Sequence, residues 1–327
     1  MPQKVLFNYL KDVGDGTIGR ETPDCSVTEV KDNKDLVCVS TTDFFYPLVE
    51  DPYKQGQIAC CNVLSDLYSM GVTHVDNVLM ILGVSLQMKE KEREIITREM
   101  MKGFNDKARE AGTNVTGGQS VMNPWPMIGG TAISVVKKSD VKFPNNAKEG
   151  DLLVLTKPLG TQVAVNLAQW LLESDPLWQK AKEYVTEEQV WDAYIKAETS
   201  MSRLNLNGAK LMHKFDIGCC TDVTGFGIKG HVENLAVAQK KNLKFRINKL
   251  PIINHTKLVN EKIFNFKLDQ GYSAETSGGL LIAIDRSQAQ KYVDEMHAIG
   301  EWAWIVGDVI EGNREVEIDQ KFEYLQI

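Results

Sequence analysis

Residues 39–52 read VSTTDFFYPLVEDP. The apolar run Leu36–Val39 leads into them and has the composition of a buried strand. The run breaks at Ser40 into Thr41, Thr42 and Asp43, and aromatic residues follow at once. A bare carboxylate is costly to bury, so water, backbone donors or a cation must compensate Asp43 where this core strand ends. The next segment, GQIACCNVLSDLYSMG (56–71), reads as a helix stopped by Gly71, with an apolar stripe at Ile58, Cys61, Leu64 and Leu67 or Tyr68. Asn62, Ser65, Asp66 and Ser69 recur at i, i+3, i+4 and i+7 and form a second, polar stripe on a neighbouring face.

Working outward, NVLMILGVSL (77–86) is an uninterrupted apolar run and predicts a strand covered on both sides. A helix over 89–111 follows, with Ile96, Met100, Phe104, Ala108 and Ala111 at helical spacing and Gly112 as its stop. TNVTGGQS (113–120) predicts a short strand ending in a double glycine, and 127–138 a further strand. The polar, aperiodic SDVKFPNNAKEGD (139–151) reads as a junction, dividing the chain into 1–138 and 152–327. The second part restarts with a strand, a helix from Thr161, and a longer helix opened by Thr186 with Gln189 completing a capping box. Residues 217–239 predict a strand, a glycine-rich turn and a helix, KFRI a short strand, 274–285 a turn into a strand, and 287–298 a helix. A closing hairpin is expected to turn at Gly312-Asn313, and the terminal YLQI has no evident role. Strands alternating with helices in both parts predict a two-domain α/β protein.

With 327 residues, 43% hydrophobic and 25% charged, the composition is that of a globular chain long enough for two domains. A net charge of −7 without a Lys/Arg block argues against nucleic acid as the main partner. No apolar run reaches membrane-span length and no export signal is evident, so the expectation is a cytoplasmic protein with no membrane partner. The six cysteines form no CxxC, and two pairs are adjacent in sequence, which predicts reduced, buried thiols.

Four aspartates draw attention: Asp24 in TPDCSV, Asp43, Asp66 on the polar stripe, and Asp222 in CTDVTGFG. Each alone reads as a cap or turn residue. Gathered, they would repel, and the usual remedy is a hard divalent cation with oxygen ligands. Magnesium in turn suggests phosphate. Gly117 and Gly118 in VTGGQS would allow close approach of a phosphate, although a double glycine also makes an ordinary turn. Gly225, Gly227 and Gly230 lead into a helix but lack the spacing of a dinucleotide fingerprint. His231 follows them and reads first as a helix-surface or capping residue. No Walker A, protein-kinase, G-x-S-x-G or H-E-x-x-H pattern occurs.

Taken in order, STTDFFYPLVEDP, CNVLSDLYSMGV, GTNVTGGQSVMNPW, LTKPLGTQVA, TDVTGFGIKGH and AETSGGLL closely resemble selenophosphate synthetase, also called selenide, water dikinase, in its eukaryotic form. The resemblance runs from about Val5 to Asp308. It implies the fold of aminoimidazole ribonucleotide synthetase: an N-terminal α/β domain that makes a homodimer through its sheet, a C-terminal α/β domain, and an active site at the dimer interface. The implied reaction converts ATP, selenide and water into selenophosphate, AMP and phosphate, with magnesium required and potassium a common stimulant. The product is the selenium donor for selenocysteine synthesis, so contact with enzymes of that route is implied too. Asp24, Asp43, Asp66 and Asp222 match the family's metal- and nucleotide-binding acids, with Asp43 and Asp66 bridging through magnesium to ATP and the hydroxyls of Thr41 and Thr42 orienting Asp43. Thr22 and Pro23 match nucleotide contacts, and Gly117, Gly118 and Gln119 an ATP-binding turn.

The family's glycine-rich segment, with its Cys or selenocysteine and its Lys, is expected upstream of Met1; Lys4 and Cys25 do not stand in for them. The chain itself is therefore expected to bind nucleotide and turn over poorly. The alternatives are an impaired ATP-binding relative or regulatory subunit, or another enzyme on this scaffold, such as a purine-pathway ligase, a thiamine-phosphate kinase or a hydrogenase-maturation protein.

Overall fold

The computed structural model describes residues 3–10, 13 and 24–327. After helix α1 (Gln3–Leu10), strands β1 (Ser26–Val30) and β2 (Asn33–Phe45) form a hairpin. Helix α2 (Pro52–Ser69), strand β3 (Asn77–Ser85), helix α3 (Glu90–Glu110) and strands β4 (Val115–Asn123) and β5 (Met127–Lys137) follow. The five strands lie in the order β1-β2-β5-β3-β4; β3 and β4 are parallel and the other neighbours antiparallel. Asp51 caps α2 by accepting from the N–H groups of Tyr53 and Lys54, with Pro52 in its first turn, so the helix starts before its apolar stripe.

The second half comprises β6 (Leu152–Leu155), α4 (Thr161–Leu172), α5 (Pro176–Ala181), α6 (Glu187–Met201), α7 (Leu206–Met212), β7 (Ile217–Asp222) and α8 (Gly227–Ala238). It continues through β8 (Leu243–Ile252), α9 (Thr256–Lys262), β9 (Leu280–Ile284), α10 (Ala289–Ala298), β10 (Trp304–Glu311) and β11 (Glu315–Gln326). Its six strands lie in the order β11-β8-β10-β6-β9-β7. The capping box at Thr186 is present, with Gln189 bonded both ways.

Helix α2 joins the halves. It packs on β2 and β5 on one side and meets β7, α6 and α7 on the other. Its buried Leu64, Leu67 and Tyr68 belong to one apolar cluster with Met212, Ile282 and Tyr292 of the second half. The polar stripe of α2 lies between β2 and the end of β7, with Asn62, Ser65 and Ser69 buried there. The opposite face of the first sheet is bare: Phe44, Val121 and Val135 are exposed on it.

Several expectations need correction. The strand does not end at Asp43 but runs to Phe45, because Asp43 and Phe44 keep ladder partners in Gly130 and Gly129. The strand over 113–120 does not stop at the double glycine; it continues to Asn123 in register with β3. β3 is fully covered on one face and only partly on the other. The last two strands are not a hairpin, since β8 lies between β10 and β11 and pairs with both. YLQI has a role after all: Tyr324–Gln326 pair with β8, and Ile327 N–H donates to Ile252 O. Among the described residues no helix is long and apolar enough to cross a membrane.

Candidate metal and nucleotide site

Strand alternation points Thr41 and Asp43 toward α2, while Thr42 faces the bare side and bonds Thr131. Thr42 therefore does not orient Asp43, and Thr41 serves a different acid. Thr41 Oγ1 donates to Asp66 Oδ2 at 2.5 Å, and Asn62 Nδ2 donates to Asp43 Oδ2 at 3.1 Å. Ser69 Oγ donates to Asp24 Oδ2 at 2.8 Å, and Thr221 Oγ1 to Asp24 Oδ1 at 3.3 Å. Ser65 hydrogen-bonds Asp222 at the end of β7, and the Asp66 carboxyl lies beside it. One helix stripe, strand β2, the end of β7 and the segment just ahead of β1 thus bring Asp66, Asp43, Asp222 and Asp24 together.

The electrostatics are those of crowded like charges. Enclosure by protein, then the charge of Asp222, pushes Asp24 up to about 7, but Asp24 is exposed to solvent, which screens much of that rise. Burial followed by Asp24 raises Asp43 to about 6. Burial, then Asp222, Asp43 and Asp24, holds Asp66 well above the carboxylate range. Burial raises Asp222 to about 6, with the charge of Asp43 adding and the Ser65 bond opposing. Among the described residues no Lys or Arg forms an ion pair with any of the four.

The donor set fits a hard cation. All four acids offer oxygen ligands, and the buried Asp222 Oδ2 has no hydrogen-bond partner. Among the described residues no three His, Cys, Asp or Glu side chains already close around one metal position. The acids are gathered without closing on one position, an arrangement that leaves ligand positions for water and phosphate oxygens.

Gly117, Gly118 and Gln119 are not part of this cluster. Asp43 pairs with Gly130, Gly130 with Met80, and Met80 with Gly118, so Gly118 lies three strands across, roughly 14 Å away at the usual interstrand spacing. The three residues sit on the exposed edge strand β4. Gly118 has φ +145°, and a Cβ there would stand 1.8 Å from Met80 O, so only glycine allows this close pairing. Thr22 and Pro23 lie outside the described residues. His231 is buried; its Nε2 accepts from Thr224 N–H at 3.1 Å and closes the glycine-rich turn, and burial lowers it to about 4.

Residues 22–136 match the N-terminal domain of AIR synthase related proteins and residues 148–320 the C-terminal domain. The chain is 48% identical over 313 residues to selenide, water dikinase of Dictyostelium discoideum, covering 95% of this chain and 84% of that protein. The chain belongs to the selenide, water dikinase family. It is also 52% identical over 296 residues to mouse selenide, water dikinase 2, covering 89% of this chain but only 65% of that relative, so it spans about two thirds of the mouse protein's length. A solved structure of thiamine monophosphate kinase from Aquifex aeolicus shares the fold at TM-score 0.67 and 18% identity, covering 97% of this chain and 95% of that one. The hydrogenase maturation protein HypE, solved in complex with ATP, shares it at TM-score 0.64 and 14% identity, covering 86% and 81%. The expected aminoimidazole ribonucleotide synthetase-like fold is thereby established for this member of the dikinase family.

Residues that the sequence left without a role complete the site. Asn62, Ser65 and Ser69 were visible as a polar stripe, but that they serve Asp43, Asp222 and Asp24 follows only from how α2 packs against β2 and β7. Thr221 gave no signal beyond its place beside Asp222.

Proposed function

We propose that this chain carries the ATP- and metal-binding machinery for making selenophosphate, in the reaction ATP + selenide + water → selenophosphate + AMP + phosphate. The observation that carries the reading is the gathering of four carboxylates, none in an ion pair with a Lys or Arg among the described residues, with Asp222 Oδ2 left unpartnered. Asp24, Asp43, Asp66 and Asp222 would hold magnesium. When bound, magnesium would neutralise the polyphosphate and the charge that develops on leaving groups. Thr41, Asn62, Ser65, Ser69 and Thr221 hold the four carboxylates in place with neutral donors, leaving their charge for the ion. Thr22, Pro23, Gly117, Gly118 and Gln119 would contact the nucleotide, and potassium would stimulate.

The domains we propose are 1–138 for ATP and metal binding and dimerisation, 139–151 as junction, and 152–327 as the synthetase-like unit. A homodimer through the first sheet is supported by its bare face and by β4, an edge strand with unpaired backbone groups beside exposed Val121 and Met122. Gly117–Gln119 lie on the edge that such a dimer would cover. Six free thiols fit a reducing, cytoplasmic setting, where the product would pass to selenocysteine synthesis.

The test is phosphorus NMR of products from ATP and selenide under anaerobic conditions. Selenide-dependent selenophosphate and AMP support the reading. ADP as the sole nucleotide product overturns it in favour of another enzyme on this scaffold. Nucleotide binding with no selenide-dependent product favours the regulatory alternative.

A further inference from the structure

The turn Glu275–Gly279 (ETSGG) touches both halves of the chain and has no part in the chemistry above. Its Glu275 accepts from the N–H groups of Gly160 at 2.7 Å and Thr161 at 2.9 Å, and from the Thr161 hydroxyl, at the start of α4. Asn205 Nδ2 donates to Gly278 O at 2.8 Å and to Ser65 Oγ of α2 at 2.9 Å. Gly278 leaves no room for a side chain: a Cβ there would lie 1.9 Å from Val223 O.

Ser277 is the centre of the turn. It is fully buried, has φ +46°, and its hydroxyl has no partner. A strained residue with an unused side chain is held for its backbone. Its carbonyl accepts from Lys157 Nζ at 2.7 Å, and Lys157 also donates to Arg203 O at 2.6 Å. The N–H of Ser277 donates to Asn62 Oδ1 at 2.8 Å, and the other end of the same amide donates to Asp43 Oδ2 at 3.1 Å. These opposed partners fix which way the Asn62 amide points. Lys157 is buried and, among the described residues, forms no ion pair with a carboxylate, an expensive arrangement that its two carbonyl acceptors offset. The path runs from a lysine of the second half, through a strained peptide, to an acid of the first.

We propose that Asn62 is a positioning residue for Asp43, and that Lys157 and the Ser277 peptide hold Asn62 in that role. The proposal rests on reading the four aspartates as the magnesium–nucleotide site. Asp43 is repelled by its neighbouring acids, and the Asn62 donor holds it inward against that repulsion. The bond engages Oδ2 and leaves Oδ1 outside it. Because the acceptor that orients Asn62 belongs to the second half, the two halves must be closed on each other for Asp43 to stand in place.

The experiment measures binding of magnesium with AMPPCP to the full chain by calorimetry, with amide hydrogen exchange of the same samples. Asn62→Ala should weaken binding about tenfold, the cost of losing a hydrogen bond to a charged group. Lys157→Met should weaken it less, and the double variant should be no worse than Asn62→Ala, because both act along one path. In the unsubstituted chain the ligand should slow exchange of the Ser277 amide, and in Asn62→Ala it should not. Losses that multiply, or a lowered thermal midpoint with unchanged affinity in Asn62→Ala, overturn the proposal. If Lys157→Met does not fold, the exchange comparison with Asn62→Ala decides. Asp43→Asn separates the levels: if it leaves binding intact, the site reading itself fails, whereas if it abolishes binding and Asn62→Ala does nothing, only the positioning role fails.

Discussion

Thr41 on β2 donates its hydroxyl to Asp66 on α2 at 2.5 Å, tying a strand of the first sheet to the helix that both halves share. The bond lowers the proton affinity of an acid that burial and three neighbouring carboxylates raise. Thr41→Val keeps the shape and removes the donor. It should cost about 2 kcal/mol of magnesium–nucleotide affinity, in the range for a hydrogen bond to a charged group. Calorimetric titration checks this, and thermal unfolding without magnesium should show a smaller change.

The carboxylate cluster predicts a pH dependence with a definite sign. Asp43 and Asp222 are held near 6, both above their ordinary value of 3.8. The folded chain thus holds these protons more tightly than the unfolded chain. Their contribution to stability is full below about pH 4 and is lost as pH rises through about 6. Magnesium should offset that loss, so saturating magnesium should raise the unfolding midpoint clearly at pH 8 and little at pH 5. An equal rise at both values would contradict the cluster as the binding place.

The two glycines of VTGGQS should respond differently to alanine. A Cβ on Gly118 would meet Met80 O at 1.8 Å, whereas one on Gly117 meets only the Leu79 side chain at 3.5 Å. Gly118→Ala should destabilise the chain by about 2–3 kcal/mol in urea unfolding, the upper part of the range for single substitutions. Gly117→Ala should leave stability unchanged and lower nucleotide affinity. Unchanged affinity would remove this strand from the nucleotide site.

The bare face of the first sheet should carry the dimer. Val121 is 52% exposed on β4 and shares that face with Phe44. Val121→Lys should convert the dimer to monomer in light scattering, because a charge in an apolar contact costs more than one face can recover. Persistence of the dimer would move the interface elsewhere.

Local pattern carried much of the fold. The apolar stripe of α3 and the capping box at Thr186 were legible because helical contacts are near in sequence. β1 went unread because SVTEV is short and almost wholly exposed. The last two strands were misread as a hairpin because their partner, β8, lies some sixty residues upstream, and no local signal reports it. In the site, the four aspartates could be picked out by residue type and motif. The roles of Asn62, Lys157 and Ser277 could not be read there, since they come from contacts spanning the two halves of the chain.

The most direct test of the central claim is manganese binding followed by electron paramagnetic resonance, with AMPPCP present, for the unsubstituted chain and for Asp43→Asn, Asp222→Asn and Asp319→Asn. Asp319 lies on β11, outside the cluster. The four-carboxylate site predicts that Asp43→Asn and Asp222→Asn each weaken manganese binding at least tenfold, while Asp319→Asn leaves it unchanged. Equal binding by all four proteins would show that the ion is held elsewhere and would contradict the account.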